Sequence, residues 1–287
     1  MLEPIQPVFN SGSVGLYVHV PFCRTVCPYC DFAVVKDVAR LHERYLTSVI
    51  REAESAADAF RGGVIDTVYF GGGTPSVLDR QEIRRLSSEL RAHLPIAVEA
   101  KIFLEANPEH GDSARLETWK QLGLGFLSLG VQSATARHLS ALGRAHSADD
   151  AHRALEVARQ VGIETVSMDL IYGMHDQNLE EWRCDLARVA DWGSDHLSCY
   201  QLTIHERTAY GRQQRLGAVL AADEDRQADF FLATHEVLGG SGFDGYEASN
   251  FARSAGHRSH HNLKYWRREP YLGLGPSAHS FDGRLRY

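Results

Sequence analysis

Three cysteines in a short stretch are the first residues that suggest chemistry. Cys23, Cys27 and Cys30 form a C-x3-C-x2-C array, and Phe32 stands where a fourth cysteine would extend it. Thiolates bind zinc or iron–sulfur clusters. Three thiolates can hold three irons of a [4Fe–4S] cluster and leave the fourth iron open to an external ligand. The spacing therefore favours a cluster.

A structural zinc site is the alternative use of these thiolates. Zinc would need a fourth protein ligand, for which His19 or a distant histidine is available. Zinc ribbons and knuckles usually supply two spaced Cys/His pairs, and neither Cys184 nor Cys199 belongs to such a pair. We interpret these two cysteines as small buried residues. The odd total of five cysteines argues against a disulfide framework and favours a reducing compartment.

Composition and charge narrow the class of protein. The chain has 287 residues, 44% of them hydrophobic and 23% charged, which is typical of one large globular domain. The net charge of −7, without a basic cluster interleaved with aromatics, predicts no nucleic-acid partner. The sequence has no apolar run near the roughly 20 residues that span a bilayer, and its beginning does not resemble a signal peptide. We therefore expect a cytoplasmic protein.

Strands and helices are predicted to alternate along the chain. Apolar runs predict strands at 15–20, 64–70, 97–107, 125–133, 163–173 and 195–204. Helical periodicity predicts helices at 38–60, 79–94, 113–122, 147–161, 179–192 and 222–243. Six β/α units predict parallel strands with right-handed crossovers. A partial or complete barrel suits this count better than an open Rossmann sheet.

The polar and glycine-rich motifs follow the carboxyl ends of the predicted strands. The cysteines follow the first strand, the glycine run 71–73 follows the second, and Glu105, Gln132 and Asp169 lie at or near the ends of later strands. Functional residues of parallel barrels collect at that edge. A glycine run lets a ligand approach the backbone and leaves peptide groups free to bond its amino or carboxylate group. We therefore expect one composite site.

Six short motifs occur in the order found in a known family. They are Y-x-H-V-P-F-C-x3-C-x-Y-C from Tyr17 to Cys30, GGGTPS, the acidic residue of LEANP, GVQS, LGRAH and MDLIYG. In these motifs the chain resembles radical S-adenosylmethionine (SAM) proteins of the oxygen-independent coproporphyrinogen III dehydrogenase group. The resemblance covers nearly the whole chain.

The resemblance implies a fold and two cofactors. The fold is the radical SAM α/β fold, a partial (β/α)6 TIM-type barrel. A [4Fe–4S] cluster is implied on Cys23, Cys27 and Cys30, with SAM bound to its open iron. One-electron reduction of such a cluster by an electron donor can cleave SAM to methionine and a deoxyadenosyl radical. Matched by motif, the cofactor-binding residues are Tyr17, Tyr29, Gly72, Gly73, Thr74, Glu105, Gln132, Arg144 and Asp169.

Two features indicate a branch within the group. The dehydrogenases resemble C-x3-C-x2-C-x-C, from which Phe32 departs. The stretch H-N-L-K-Y-W (261–266) resembles the signature of the haem chaperone branch, whose members bind haem. Imidazole is a good haem ligand and aromatic rings offer flat faces to a porphyrin, so the expected haem residues are His261, Tyr265 and Trp266. Neighbouring alternatives for the ligand are His257, His260 and His279.

The resemblance therefore implies a haem chaperone that delivers haem to haem proteins such as respiratory enzymes. Respiratory acceptors would require transient association with a membrane. The alternative is a coproporphyrinogen III dehydrogenase, which uses the radical to begin oxidative decarboxylation of propionate side chains. We expect the core barrel to occupy 12–240. The segment 241–287 is expected to hold the haem signature and the start of a truncated C-terminal domain.

Overall fold

Parallel strands form the framework of the chain. The computed structural model describes residues 8–10 and 12–287. Its strands in these ranges are β1 (Ser13–Val20), β2 (Phe22–Cys23), β3 (Val35–Lys36), β4 (Val64–Gly72), β5 (Ile96–Ala106), β6 (Leu124–Gln132), β7 (Thr165–Tyr172), β8 (His196–Gln201), β9 (Asp244–Gly245), β10 (Asn250–Ala252) and β11 (Tyr271–Leu274). Nine of them form one sheet in the order β11-β1-β4-β5-β6-β7-β8-β10-β9, and β2 pairs with β3 separately.

Helices follow the strands as the alternating pattern predicts. They are α1 (His42–Ala56), α2 (Arg80–His93), α3 (Ser113–Gln121), α4 (Ala136–Ala141), α5 (Ala148–Val161), α6 (Leu179–Asp191), α7 (Ala209–Arg215), α8 (Glu224–Gly240) and α9 (His260–Trp266). Capping boxes at Asp79, Ser147 and Asn178 satisfy the first backbone N–H groups of α2, α5 and α6. Among the described residues, none of the helices has the length and apolar character of a membrane span.

The six strands β1, β4, β5, β6, β7 and β8 are parallel, with β1 beside β4 and each later strand beside the next. This arrangement confirms the parallel α/β sheet that the alternation of strands and helices predicts. Because neighbouring parallel strands end at the same edge, residues distant in sequence come together there.

Side chains alternate between the two faces of these strands. Aliphatic residues such as Leu16, Val68 and Leu127 pack in the main hydrophobic core beneath the helices. The intervening positions carry polar and aromatic residues, including Tyr69 and Ser128, which line an interior cavity. Successive residues of a strand point to opposite faces, so one sequence supplies both surfaces.

The last part of the chain adds to both edges of the sheet. Strand β10 pairs antiparallel with β8, and β11 pairs parallel with β1. Between them, α9 packs so closely that a Cβ on Gly15 of β1 would lie 3.1 Å from Cε1 of His261. Residues 241–287 thus share the sheet of the barrel, while the division into domains at 240 stays a prediction.

Candidate functional site

The cysteine loop lies at the carboxyl edge of the sheet. Cys23, Cys27 and Cys30 all line a cavity of about 360 Å³ and form no disulfide. The pairing of β2 with β3 and a Cys30 N–H bond to the Cys27 carbonyl oxygen shape the loop. Thr74 Oγ1 donates to Cys23 Sγ over 3.6 Å, and Arg144 Nη1 donates to Cys27 Sγ over 3.3 Å. One side chain that follows β4 and one from the loop between α4 and α5 therefore reach the thiols.

The donor set fits a cluster better than a single ion. Within residues 8–10 and 12–287, His, Cys, Asp and Glu side chains form no group of three or more that could hold one metal ion. Cysteines of a [4Fe–4S] cluster bind separate irons and need no common centre. Nor is His19 available to zinc, since its ring nitrogens lie 3.0 Å from Tyr17 Oη and 2.9 Å from the Ala33 carbonyl oxygen. Burial raises the pKa of the Cys23 and Cys30 thiols, so binding a metal there releases protons.

The glycine run packs against the cysteine loop. A Cβ on Gly72 would lie 2.5 Å from the His19 ring, and one on Gly73 would lie 2.8 Å from the Phe22 carbonyl oxygen. The N–H groups of Gly73 and Thr74 donate to the carbonyl oxygens of Val20 and Phe22. The expectation that these peptide N–H groups are open to a ligand is therefore wrong. Glycine is needed because the two loops touch.

Glu105 is a buried carboxylate with two protein donors. Tyr69 Oη donates to its Oε1 over 2.8 Å, and the Gly72 N–H donates to its Oε2 over 3.1 Å. Burial raises the pKa of Glu105 to about 7, although both hydrogen bonds oppose this shift. A cationic ligand beside the carboxylate would stabilise its charged form.

Asp169 provides a second buried carboxylate on β7. Ser128 on the adjacent strand β6 donates to both carboxylate oxygens, at 2.9 and 2.8 Å. Burial raises the pKa of Asp169 to about 6, against the effect of its hydroxyl donors. Both carboxylates line the first cavity, as the shared strand edge predicts.

Arg144 connects the cysteine loop to the ends of two strands. Its Nη2 donates to Asn107 Oδ1 at 2.5 Å and to the Gly130 carbonyl oxygen at 2.9 Å. Gln132 lines the same cavity and has a left-handed backbone with φ of 68°. Such strain in a residue other than glycine is most often retained at functional sites.

The two tyrosines of the first motif lie in different places. Tyr29 lines the first cavity together with the cysteines, Gly72, Gly73 and Thr74. Tyr17 lines a second cavity of about 870 Å³, which shares with the first Asp31, Phe32, Gly72 and Glu105. The structure therefore brings most of the predicted SAM residues together and places Tyr17 on the other side of Glu105. Their roles stay predictions.

The three predicted haem residues all lie on α9, but their side chains face different surroundings. His261 is fully buried, with Nδ1 3.0 Å from Thr67 Oγ1 and Nε2 2.8 Å from Tyr265 Oη. Burial, with a contribution from nearby Lys264, lowers its pKa to about 3, so the ring is neutral. Iron could bind only after one of these hydrogen bonds breaks and α9 moves. The conformation described here gives His261 a structural role, and its ligand role stays a prediction.

The other two residues of that signature face different surroundings. Tyr265 lines the second cavity, whereas Trp266 is exposed and packs edge-on against Tyr246. Trp266 lines neither cavity. Of the three predicted haem residues, only Tyr265 faces a space that could receive a flat ligand.

Several residues of the first cavity escaped the sequence analysis. They are Tyr69, Phe126, Ser128, His196 and Tyr200. Each occupies an inward position of a strand or follows a strand end, so strict alternation along the strands would have identified them. Among the remaining cysteines, Cys199 is buried as predicted, but Cys184 is exposed on α6, where the prediction was wrong.

Comparison with known proteins agrees with this geometry. The model of the Radical SAM superfamily matches residues 17–187. The chain is 36% identical over 279 residues to the haem chaperone HemW of Escherichia coli (strain K12), covering 95% of this chain and 72% of that protein. It is 37% identical over 286 residues to HemW of Synechocystis sp., covering 96% of this chain and 69% of that protein.

Among solved structures, the chain is similar to coproporphyrinogen III oxidase (HemN) of Escherichia coli, described as a radical SAM enzyme. The TM-score is 0.84 at 25% sequence identity, with 98% of this chain and 66% of that chain covered. The six motifs, the strand edge that gathers them and the identity to HemW proteins agree. The chain therefore belongs to the radical SAM superfamily and, among its coproporphyrinogen III dehydrogenase-like proteins, to the haem chaperone HemW family.

Proposed function

We propose that this protein binds haem and delivers it to haem proteins, while carrying a [4Fe–4S] cluster and SAM. The observation that carries the proposal is the identity of 36% over 279 residues to a protein named as a haem chaperone. Phe32 supports it, since this residue stands where the dehydrogenase pattern has a further cysteine. The partners of this function are haem, a reductant for the cluster and an acceptor haem protein.

In this proposal the first cavity holds the cluster and SAM. Cys23, Cys27 and Cys30 hold the cluster, which supplies one-electron reduction of SAM when bound. Glu105 and Asp169 offer carboxylates to the ammonium group and the ribose hydroxyls, and Arg144 offers a guanidinium to the carboxylate. Further contacts in this cavity are proposed for Tyr29, Gly72, Gly73, Thr74 and Gln132. Tyr17 lines the second cavity and would approach only from the other side of Glu105.

Burial excludes water from the carboxyl groups of Glu105 and Asp169 and favours their protonated forms until a cation binds. Both have pKa values raised towards neutrality, so a cationic ligand would displace their protons as it binds. Tyr69 and Ser128 then fix the orientation of the ionised groups. The site is organised before its ligand arrives, which lowers the entropic cost of binding.

A coproporphyrinogen III dehydrogenase is the second candidate. The TM-score of 0.84 to HemN favours it, because the barrel that supports that enzyme is closely reproduced here. Fold alone does not determine activity, however, and the closer sequence relatives are the HemW proteins. The dehydrogenase reading predicts decarboxylation of coproporphyrinogen III by protein loaded with cluster and SAM.

Anaerobic haem titration tests the proposal. Protein with a reconstituted cluster should bind haem stoichiometrically, as followed by the Soret band, and should pass it to a haem-free b-type cytochrome. Decarboxylation of coproporphyrinogen III should be undetectable in the same preparation. Absence of specific haem binding together with decarboxylated product would replace the chaperone with the dehydrogenase.

The proposal also places the protein in the cytoplasm. A cluster held by three cysteine thiolates requires reducing conditions, and the cysteines of the described chain form no disulfide. Delivery to a respiratory enzyme would then involve transient contact with a membrane-bound acceptor.

A further inference from the structure

We propose that Asp185, on helix α6, is a positioning residue for SAM binding, because its carboxylate fixes the turn that directs the Gln132 side chain into the first cavity. The role rests on the proposed function, in which Gln132 is a SAM contact, and it assigns the support of that contact to a residue outside the cavity. Asp185 belongs to none of the motifs that carry the family resemblance.

The end of β6 is a strained turn. The Ser133 N–H donates to the Val131 carbonyl oxygen over 2.9 Å, and Gln132 between them has φ of 68°. A hydrogen bond across three residues with positive φ at the central one defines the rare, strained form of the γ-turn. The pairing of β6 with β7 also shifts register between Leu129 and Gln132. Such a conformation persists only where the surrounding structure imposes it.

The three residues that follow Gln132 all hydrogen-bond to the carboxylate of Asp185. Ser133 Oγ donates to its Oδ2, and the Ala134 N–H donates to the same oxygen over 3.2 Å. Thr135 Oγ1 donates to Oδ1 over 2.8 Å. The Thr135 N–H also donates to Ser133 Oγ over 3.0 Å, which closes the network. Both carboxylate oxygens therefore hold the segment that leaves the turn.

Asp185 occupies a position that favours an apolar residue. It lies in the interior of α6, on the buried face that also carries Trp182, Leu186 and Val189, and it is 3% exposed. Aspartate is a weak helix former in a helix interior, and a buried carboxylate loses its hydration. The three donors from one short segment compensate for that loss. Residues that break local preferences in this way are expected at functional or strained sites.

The residues that precede Gln132 are held from another direction. Arg144 Nη2 donates to the Gly130 carbonyl oxygen over 2.9 Å, and His146 Nε2 lies 3.0 Å from the Val131 carbonyl oxygen. Since a carbonyl oxygen can only accept, His146 donates from Nε2. The loop that carries Arg144 and His146 thus holds the chain before the turn, and α6 holds it after the turn.

The supported side chain enters the first cavity. Gln132 lines that cavity together with Arg144 and Asp169. Its amide offers both a donor and an acceptor, which suits the ribose hydroxyls or the carboxylate of SAM. A group that contacts a ligand directly is effective only when its neighbours hold it in the binding geometry. Release of the turn by loss of the Asp185 carboxylate should therefore weaken SAM binding although Asp185 does not line the cavity.

A purely structural role for Asp185 predicts a different result. If the carboxylate only joined α6 to the end of β6, its removal would lower the free energy of unfolding. The affinity of the folded protein for SAM would then stay unchanged. Ligand affinity measured on folded protein consequently distinguishes the two roles.

SAM titration of cluster-loaded Asp185→Ala is the first test. We expect SAM affinity to fall about tenfold by calorimetry, because the strained turn can relax. Asp185→Asn keeps an acceptor for the Ala134 N–H and a donor for a hydroxyl group, so its loss should be about threefold or less. Leu186→Ala is the matched control, since it removes core packing from the same helix and should bind SAM as the wild type does.

A double-variant cycle shows whether Asp185 acts through Gln132. Gln132→Ala should itself weaken SAM binding, and the addition of Asp185→Ala should weaken it by less than about twofold more. Independent effects would instead multiply. Multiplied losses would mean that Asp185 acts on the cavity by another route, and they would overturn the inference.

The cluster provides a readout that does not depend on SAM. Iron and sulfide content of reconstituted Asp185→Ala should equal that of the wild type, because the contacts of Asp185 lie on the segment after β6 and not on the cysteine loop. Loss of the cluster together with SAM affinity would overturn the inference, since Asp185 would then support the whole site. If Asp185→Ala does not fold, Thr135→Val decides, with about threefold weaker SAM binding expected from the lost donor.

Two further outcomes separate this inference from the proposed function. Wild-type SAM affinity in folded Asp185→Ala, or in Thr135→Val where that variant decides, would overturn the positioning role and leave the proposed function intact. Failure of cluster-loaded wild-type protein to bind SAM would instead remove the SAM site from the proposed function, and the positioning role with it.

Discussion

The two cavities share Glu105 and Gly72 but are built in opposite ways. In the first, charged groups already have protein partners: Glu105 accepts from Tyr69, and Arg144 donates to Asn107. In the second, the guanidinium group of Arg268 lines the space without such a partner in the described chain. Under the proposed function, the first arrangement would suit a resident cofactor and the second a ligand that is exchanged.

The contrast has an energetic meaning. Groups that are hydrogen-bonded before binding need little reorganisation and hold a small cofactor in one geometry. Unpaired exposed groups remain hydrated until cargo arrives, so part of the binding energy is spent on displacing water. A cargo that must be released is served better by the second arrangement. The following variants probe each half of the comparison.

Loss of the cluster should have the largest effect, and it should affect only ligand binding in the first cavity. Replacing Cys23, Cys27 and Cys30 together by serine should reduce bound iron and sulfide to near zero, because the serine hydroxyl is a poor substitute for thiolate. Haem affinity should stay within about twofold if haem occupies the second cavity. Metal and sulfide analysis with Soret titration measures both effects. Cys184→Ser, on the exposed face of α6, is the control that should change neither.

If haem binding disappeared together with the cluster in a folded triple variant, the cavities would not be independent. The comparison would then have to be replaced by a single joint site.

Glu105→Gln should alter the pH dependence of stability. Burial raises the Glu105 pKa from 4.5 to about 7, so between these values the folded state keeps a proton that the unfolded state releases. The contribution of Glu105 to the free energy of unfolding therefore falls as pH rises through this window. Glutamine cannot titrate. The free energy of unfolding of the variant minus that of the wild type should therefore increase by about 3 kcal/mol between pH 4.5 and 7.

Urea denaturation of the apoprotein at several pH values measures this difference. Asp169 titrates in an overlapping window but is present in both proteins. Glu43→Gln, at an exposed residue of α1, is the control and should not show this pH-dependent gain. Parallel pH profiles for Glu105→Gln and wild type would mean that the Glu105 carboxylate does not titrate in this range.

Arg144→Lys should weaken SAM binding without affecting haem. A single ammonium group cannot reproduce the planar donors that reach Cys27, Asn107 and the Gly130 carbonyl oxygen. We expect about tenfold weaker SAM binding, or about 1.4 kcal/mol, by calorimetry on cluster-loaded protein. Arg183→Lys, in an exposed pair with Glu236, is the matched control. Equal losses for SAM and haem would contradict separate cavities.

Gln132→Gly should give the smallest change, with stability and binding moving in opposite directions. Glycine relieves the left-handed backbone at φ of 68°, so the free energy of unfolding should rise by up to about 1 kcal/mol. SAM binding should weaken because the cavity loses a polar side chain. Asp176→Gly, with φ of 60° outside both cavities, should be stabilised without a change in SAM affinity. A lower free energy of unfolding in Gln132→Gly would show that the Gln132 side chain stabilises the end of β6.

Much of the first cavity could be predicted from the sequence because parallel strands have a fixed geometry. Once alternation predicts β4, β5 and β7, their carboxyl ends must share an edge, and Gly72, Glu105 and Asp169 come together. The longer helices were also predictable, since periodicity extends over several turns and caps mark their starts. Short elements such as α9 and β11 were missed because four to seven residues contain too little periodicity.

The position of a side chain relative to distant segments could not be predicted in the same way. The motif around His261 predicts a haem residue, but packing of α9 against β1 buries the ring and engages both nitrogens. The glycine run suggested open peptide groups, yet the N–H groups of Gly73 and Thr74 donate to the cysteine loop. Thr67 and the cysteine loop are remote in sequence from the groups that they engage, so local pattern carries no record of these contacts.

The sequence by itself determined the family, the alternating fold and many of the residues that line the first cavity. These depend on motif order and strand period, which are local properties. Only the tertiary structure decided that His261 is buried with both ring nitrogens engaged, and that Tyr265 and Tyr17 line a second cavity. That outcome depends on how β11 and α9 pack against β1, because close packing between segments distant in the chain determines which groups stay open to a ligand.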